Sequence, residues 1–496
     1  MIINFTKHKL GRTFALFLIF CITLSFCSSN ILVKADSDTK NTFTYDNNEW
    51  TVSVADTSNA SPVLSLSNVG TNDKKVHFPN FEEFKKCNSS LANKDLAQTL
   101  TLAQDNKNAF SSVKRIDIGN DYKEIPEDYL SGNQSIEEIY IDTDNEIVLS
   151  KNCFSSMSAL RNVTIHAKSI TLEGSVFKNC YNLETITFDG PTTFSGNSGS
   201  GYNFDQCQKL NVVKFNKAVS FEDSCNFTDT TFQNADSKSV TVTFNGTVTN
   251  RDTVFKQCNI YDLNLNGSNN QLSNNFLTNT SVTNLNVNGV TTFGQKAICF
   301  SSDANAVISN FNVNSSTSGT SSTTFEKKAF YSLNIDSRTM ITNFTLNGQC
   351  VFSDAALFHI VIQNLYFNLD NRGDCKNISY QNDGDHLGYE SRVHNLYFAY
   401  KKNTTTGGEM MELNHFPLGD DTKTSLNCDA IYFLDPDFKY IGGSDYNRCD
   451  GEKTIVYGYG GAVAYDDDGN LLSSYEMYQS WIKNKSCNFH NYVSNA

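Results

Sequence analysis

The chain has 496 residues, and 36 Phe and 22 Tyr raise its aromatic content to 12%, so it can bury a sizeable core without disulfide or metal staples. Acids outnumber bases 53 to 39, a formal charge of −14, and the scattered acidic surface argues against nucleic acid, whose phosphates need a basic face. The 8 histidines show no metal-ligand spacing and no Cys-x-x-Cys occurs, so neither a zinc site nor any other cofactor is expected.

Residues 1–35 read as a secretory signal. Lys7, Lys9 and Arg12 form a basic start, Phe14–Phe26 is an apolar run of 13 residues, and Val33-Lys34-Ala35 is a cleavage site before Asp36. A membrane span needs about 20 apolar residues, and no later run is long enough. The mature chain is expected to be exported, secreted or at the cell surface, with no membrane span.

Residues 36–109 are expected to form an N-terminal cap, with strand-like "WTVSVAD" and "PVLSLSN" followed by a helix-like "FEEFKK". From about residue 110 one strand pattern recurs. Its marker position is Ile116, Ile139, Val163, Ile186, Val213, Val242, Leu263, Leu285, Phe311, Phe344, Leu365, Leu396 and Ile431. The gaps run from 21 to 35 residues, yet the pattern itself holds constant. The residue two after each marker is apolar in all 13 copies, and the residue three before it is apolar in 11, from Val113 to Val393. Ser239 interrupts that second column and Cys428 falls in its last slot. Columns repeated at this spacing cannot be buried within one unit; they predict a solenoid whose turns shield one another. Between strands, a segment such as "VFKNC" supplies the opposite wall, with Phe154, Phe177, Phe204 and Phe255 on short helical or irregular turns.

The unit F-x-N-C-x-x-L-x-x-I-x-F, closest to consensus in "VFKNCYNLETITFDG" (Val176–Gly190), resembles the BspA-type leucine-rich repeat. "TIVYGYGGAVAY" (Thr454–Tyr465) is similar to that family's closing motif. The resemblance implies an α/β solenoid, a leucine-rich repeat array over residues 110–450 with a curved parallel β-sheet and capping segments. Residues 451–496 form the second cap, where Ser473-x-x-Glu476 opens a short helix. The resemblance also implies a surface or secreted adhesion protein that holds a host or extracellular-matrix protein, or a cell-surface glycan.

Twelve of the 14 cysteines follow the signal region. Cys180, Cys207 and Cys258 occupy one repeat position and are expected to be buried free thiols; a Cys428–Cys449 pairing remains open. No nucleophile elbow, dinucleotide loop or EF-hand spacing is present, and a non-enzymatic role is expected. The residue after each marker should line the concave face. It is polar and uncharged from Thr243 to Thr345, then reads Tyr366, Tyr397 and Tyr432, with Tyr140 near the start. Tyrosine suits binding hot spots, so these four are the candidate ligand-binding residues; the competing explanation is ring-on-ring packing between strands. Asn284, Asn310, Asn343, Asn364 and Asn395 precede consecutive markers and are expected to form a hydrogen-bonded ladder. Two other readings stand beside adhesion. One is a parallel β-helix acting on polysaccharide, marked by three sheets and a clustered acidic cleft; the other is a structural surface-layer component.

Overall fold

A computed structural model describes residues 41–369 apart from short loop stretches, and beyond them residues 379–381, 388–400, 426–433, 439–441, 455–459, 463–465, 471–472 and 488–492. The signal region 1–35 and the expected helix after Ser473 lie outside the described residues.

The first described element is an antiparallel hairpin, Asn41–Tyr45 with Asn48–Ser53. Asp46 and Asn47 both take positive φ (48° and 61°), the turn whose twist matches that of the strands. Val63–Asn68 and Thr101–Leu102 complete a four-stranded sheet. One helix follows, Phe81–Cys87. Asn80 Oδ1 accepts from the Glu83 amide at 2.9 Å, and the Asn80 amide donates to Glu83 Oε2 at 3.0 Å, a reciprocal cap that fixes where the helix starts. Phe84 meets Phe43 at 5.7 Å and Trp50 meets Phe78 at 5.2 Å. These rings share one continuous core with the first turns of the repeat.

The repeat itself is a parallel β-solenoid. All 13 marker residues fall on strands of a single parallel sheet, hereafter the long sheet, and pair marker to marker from Ile116 to Ile431 without a slip. That sheet has 16 strands. The three beyond those read from the repeat are Lys75–His77 before it and Ile455–Tyr459 and Asn488–Tyr492 after it. Uneven gaps do not disturb the register of the described strands, where a one-residue slip would turn every core side chain outward.

Two further parallel sheets complete the turns, one of 11 strands and one of 7. One complete turn runs from Asn259–Leu265 in the long sheet to Asn270–Leu272 in the second and Leu277–Thr278 in the third. Third-sheet strands begin at Phe227–Thr228; in earlier turns that wall is the V-F-x-N-C segment, folded as turns. Among the described residues helix is confined to Phe81–Cys87, so the walls expected to carry helical turns are strands and tight corners.

Corners repeat as strictly as strands. Asn275, Lys296, Lys328 and Ala355 each take a left-handed conformation, with φ of 63°, 57°, 59° and 51°. The first three amides each donate to the carbonyl of the equivalent corner one turn on, at 2.7, 2.8 and 3.0 Å. Uncommon backbone is thus held by hydrogen bonds between turns. At another corner Gly246, Gly267 and Gly289 stack closely: a Cβ on Gly267 would collide with the Gly246 backbone, and one on Gly289 with that of Gly267.

Inside, like stacks on like. The column three before each marker is buried from Val113 to Val393. Ser239 lies outside the described residues, and Val240 beside it is fully buried. Phe154, Phe177, Phe204, Phe227 and Phe255 form one stack with centroids 5.8, 5.7, 4.7 and 4.8 Å apart; Phe227 is the member the sequence pattern did not single out. Cys180 and Cys207 are buried free thiols donating to the carbonyls of Phe154 and Phe177 at 3.1 and 3.0 Å, and Cys258 is buried two turns beyond Cys207. Burial pushes the Cys180 thiol up to about 12, so it is inert as a nucleophile.

Truncating Phe204→Ala, stacked on both sides, should lower stability by about 3–5 kcal/mol in denaturant unfolding. Gly267→Ala should lower it by about 1–3 kcal/mol through overpacking. A Gly267→Ala protein as stable as wild type would show that the corners do not stack as described.

Candidate functional site

The outward face of the long sheet is the site candidate, and it divides into three zones. In the first turns it is charged. Asp117, 13% exposed at its side chain, accepts from Lys75 at 2.7 Å and from Arg115 Nε at 2.7 Å, with His77 at 3.4 Å. Arg115 also reaches Glu138 at 3.1 Å. Burial pushes the Asp117 carboxyl up, but the hydrogen bonds and charges of Lys75 and Arg115 outweigh it and hold the group below the ordinary carboxylate range. Tyr140 is half-buried; its hydroxyl donates to Asp142 at 3.2 Å and the Arg115 guanidinium lies 5.5 Å from its ring centre.

The middle zone is built mainly of amides, with the carboxylate of Asp262 at the head of one ladder. The expected column before the markers is a continuous ladder: Asn284 donates to Asp262, Asn310 to Asn284, Asn343 to Asn310, Asn364 to Asn343 and Asn395 to Asn364, each at 2.9–3.0 Å. Two more ladders run beside it. Asn264, Asn286 and Asn312 bond in the column after the markers. Asn216, Asn245, Asn266, Asn288, Asn314, Asn347 and Asn368 bond in the column two further on, at 2.8–3.1 Å. Each amide uses one N–H and one acceptor site along the ladder, which leaves one of each for a ligand or water.

The last zone holds the tyrosines. Tyr366, Tyr397 and Tyr432 are in register and half-buried. Their rings stack at 4.5 and 4.6 Å, tilted by 9° and 15°. The ring faces are largely spent on one another, so the edges and hydroxyls are what this ladder can offer. Arg392 and His394 flank it: the guanidinium donates to both Asp429 oxygens at 2.8–3.0 Å, and His394 Nδ1 lies 2.6 Å from Oδ2. Sequence reading missed this trio, which only strand register assembles.

The structure therefore brings three of the four candidate tyrosines together and leaves Tyr140 apart. Nine strand steps separate Tyr140 from Tyr366, roughly 43 Å at the usual strand spacing. Among the described residues no cluster of His, Cys, Asp or Glu is arranged to hold a metal ion.

The family model described as BspA type Leucine rich repeat region matches the chain in 6 copies, over residues 80–200 and 198–305. No curated protein and no solved structure matches the chain. Among the described residues no helix is long and apolar enough to cross a membrane.

The charged zone yields a pH prediction. Because the folded Asp117 pKa lies below the unfolded value, its stabilisation is present above about pH 4 and lost as pH falls through the folded pKa. Asp117→Asn should be less stable than wild type at neutral pH, and the difference should shrink on acidification in unfolding titrations. A gap that stays constant down to acid would contradict the ion-pair account.

Proposed function

We propose, on the footing of the BspA-type leucine-rich repeat match over residues 80–305, that the chain is a secreted or cell-surface adhesion protein that binds a host or extracellular-matrix protein. The binding surface is the outward face of the long sheet, with Tyr366, Tyr397 and Tyr432 as anchors. The observation that carries this reading is the run of half-exposed stacked tyrosines at the end of an uncharged amide field. Stacking holds each ring in place, so little side-chain entropy is left to lose on binding, and rigid aromatic anchors are favoured at interfaces. A protein partner fits better than a neutral sugar, because sugar rings pack on aromatic faces and these faces are taken up by neighbouring rungs. Tyr140, remote from the ladder, is no part of the proposed anchor.

The N-terminal sheet and helix are proposed to cap the array. Trp50, Phe78 and Phe84 cover apolar side chains that a bare first turn would leave wet.

The polysaccharide-enzyme reading has one point in its favour, the three-sheet stack from residue 227 onward. Its other requirement is a carboxylate pair about 5–10 Å apart with one member's pKa raised. In the charged zone Asp117 and Glu138 share Arg115, and Asp117 is held low, the wrong direction for a general acid. In the three-sheet region Asp252 and Glu326 stand three turns apart, roughly 14 Å at the strand spacing. These facts favour the binding role.

The test is binding of the exported chain to immobilised extracellular-matrix proteins. The Tyr366→Ala/Tyr397→Ala/Tyr432→Ala variant should weaken the interaction by about 2 kcal/mol or more, while the triple Phe variant, which keeps the stack and loses only hydroxyls, should lose less. Alanine variants that melt earlier yet bind with unchanged affinity would reduce the tyrosines to strand-pairing elements and refute the assignment.

A further inference from the structure

The third sheet turns a separate surface outward, on a different side of the solenoid from the long sheet. Its outward column pairs in register as Lys256, Thr278, Cys299, Tyr331, Phe358 and Tyr389. The last three stack at 5.4 and 5.0 Å, with interplanar angles of 14° and 4°. Lys296 and Lys328 occupy the left-handed corner just before two of these strands. Each reaches one turn forward: the Lys296 ammonium lies 4.6 Å from the Tyr331 ring centre and that of Lys328 lies 4.1 Å from Phe358. Lys256 stands exposed in the same outward column.

This strip reverses the charge balance of the chain. Acids lead bases 53 to 39 overall, yet the described outward column contains no carboxylate. Of the acids at its border, Glu390 is held by His359 at 3.0 Å, Glu326 lies two residues before Lys328, and Asp252 lies four before Lys256. The cations are also ordered in advance. A stiff turn stack carries the corners, and contact with the rings keeps each lysine chain from sampling its full rotamer range.

We propose that the third sheet binds a linear polyanionic polysaccharide, sulfated or uronic, laid along the solenoid axis across Lys256, Lys296 and Lys328. Charge complementarity selects an anion, and the placing of Lys256 two turns before Lys296 and Lys328 one turn after it selects a ligand that runs along the axis. Single-stranded nucleic acid fits poorly, because its bases need open aromatic faces and these rings lie face to face in a stack. An extended acidic peptide places same-face side chains about 6.6–6.8 Å apart, out of step with rungs about 4.8 Å apart. A polysaccharide carries its anionic groups directly on the sugar rings, and its hydroxyls can meet Thr278 and the hydroxyl tips of Tyr331 and Tyr389. The site is independent of the tyrosine face of the long sheet.

The experiment measures the intact exported chain on immobilised heparin, hyaluronan, poly-glutamate and neutral dextran. Heparin or hyaluronan should bind, heparin without hyaluronan arguing for sulfate recognition and binding of hyaluronan for carboxylate recognition, and the binding should weaken with added salt. Lys296→Glu/Lys328→Glu should reduce affinity about tenfold or more, since two attractions become repulsions, and Lys296→Gln/Lys328→Gln should fall between. Tyr397→Ala should bind the polysaccharide as wild type does, which separates this site from matrix-protein binding. The proposal is overturned if neither polyanion binds wild type, if dextran or poly-glutamate binds as tightly, or if the folded glutamine variant binds unchanged.

Discussion

Stacking of like on like along one axis is the interaction on which the rest of the molecule depends. No single turn can bury its own apolar side chains; each is covered by the equivalent residue of the next turn. Hydrogen-bonded strands lie about 4.7–4.9 Å apart, and that spacing also suits aromatic rings lying face to face. Phe188, Phe215 and Phe244 show the match, with centroids 4.9 Å apart at each step and planes within 5°. The repeat therefore tolerates Ile, Val, Leu or Phe at the marker, but it demands an apolar residue in every turn, since one polar rung would leave a gap in a column that two neighbours line.

The same spacing acts on the outward faces, where it selects by charge. Identical ions cannot stand opposite each other on adjacent strands without repulsion, whereas an amide carries donor and acceptor together and can repeat without limit. This explains the composition of the long sheet. Where it is charged, signs alternate between strands, as in Arg115 beside Glu138 and Arg161 beside Glu184. Where it runs for many turns without interruption, it is asparagine. Tyrosine obeys the same rule, because ring stacking, like amide pairing, is satisfied by an identical neighbour.

That logic separates what the sequence makes legible from what it hides. The long sheet could be read in full register because its strands are long enough to show period two and carry three buried columns. Second-sheet strands such as Thr192–Phe194 and third-sheet strands such as Leu277–Thr278 have 3 and 2 residues, too few to display any period, and they passed for irregular wall. The recurrent Asn-Gly at 245–246, 266–267 and 288–289 was a readable signal for the second amide ladder and its tight corner. The left-handed corners at Lys296 and Lys328 had no such signal, because lysine carries no preference for that backbone; the hydrogen bonds of neighbouring turns impose it. At the candidate site, the Tyr366, Tyr397 and Tyr432 column followed from the marker register alone. Grouping Tyr140 with them rested on residue type, and strand order places it at the far end of the same face.

An exposed ladder trades one recognition chemistry for another. A lone surface tyrosine or phenylalanine offers its face to a sugar or a base, whereas a stacked one offers only an edge and, for tyrosine, a hydroxyl. On both aromatic ladders of this solenoid the interior rungs have surrendered their faces, so what distinguishes the two surfaces is their surroundings. Neutral amides border the ladder of the long sheet for several turns, and an acidic molecule can there meet a partner of either charge without strong repulsion. Lysines border the ladder of the third sheet and bias it toward anions. Two surfaces of different selectivity can arise on one repeat because each turn contributes separately to each wall, and a substitution in one column leaves the register of the others intact.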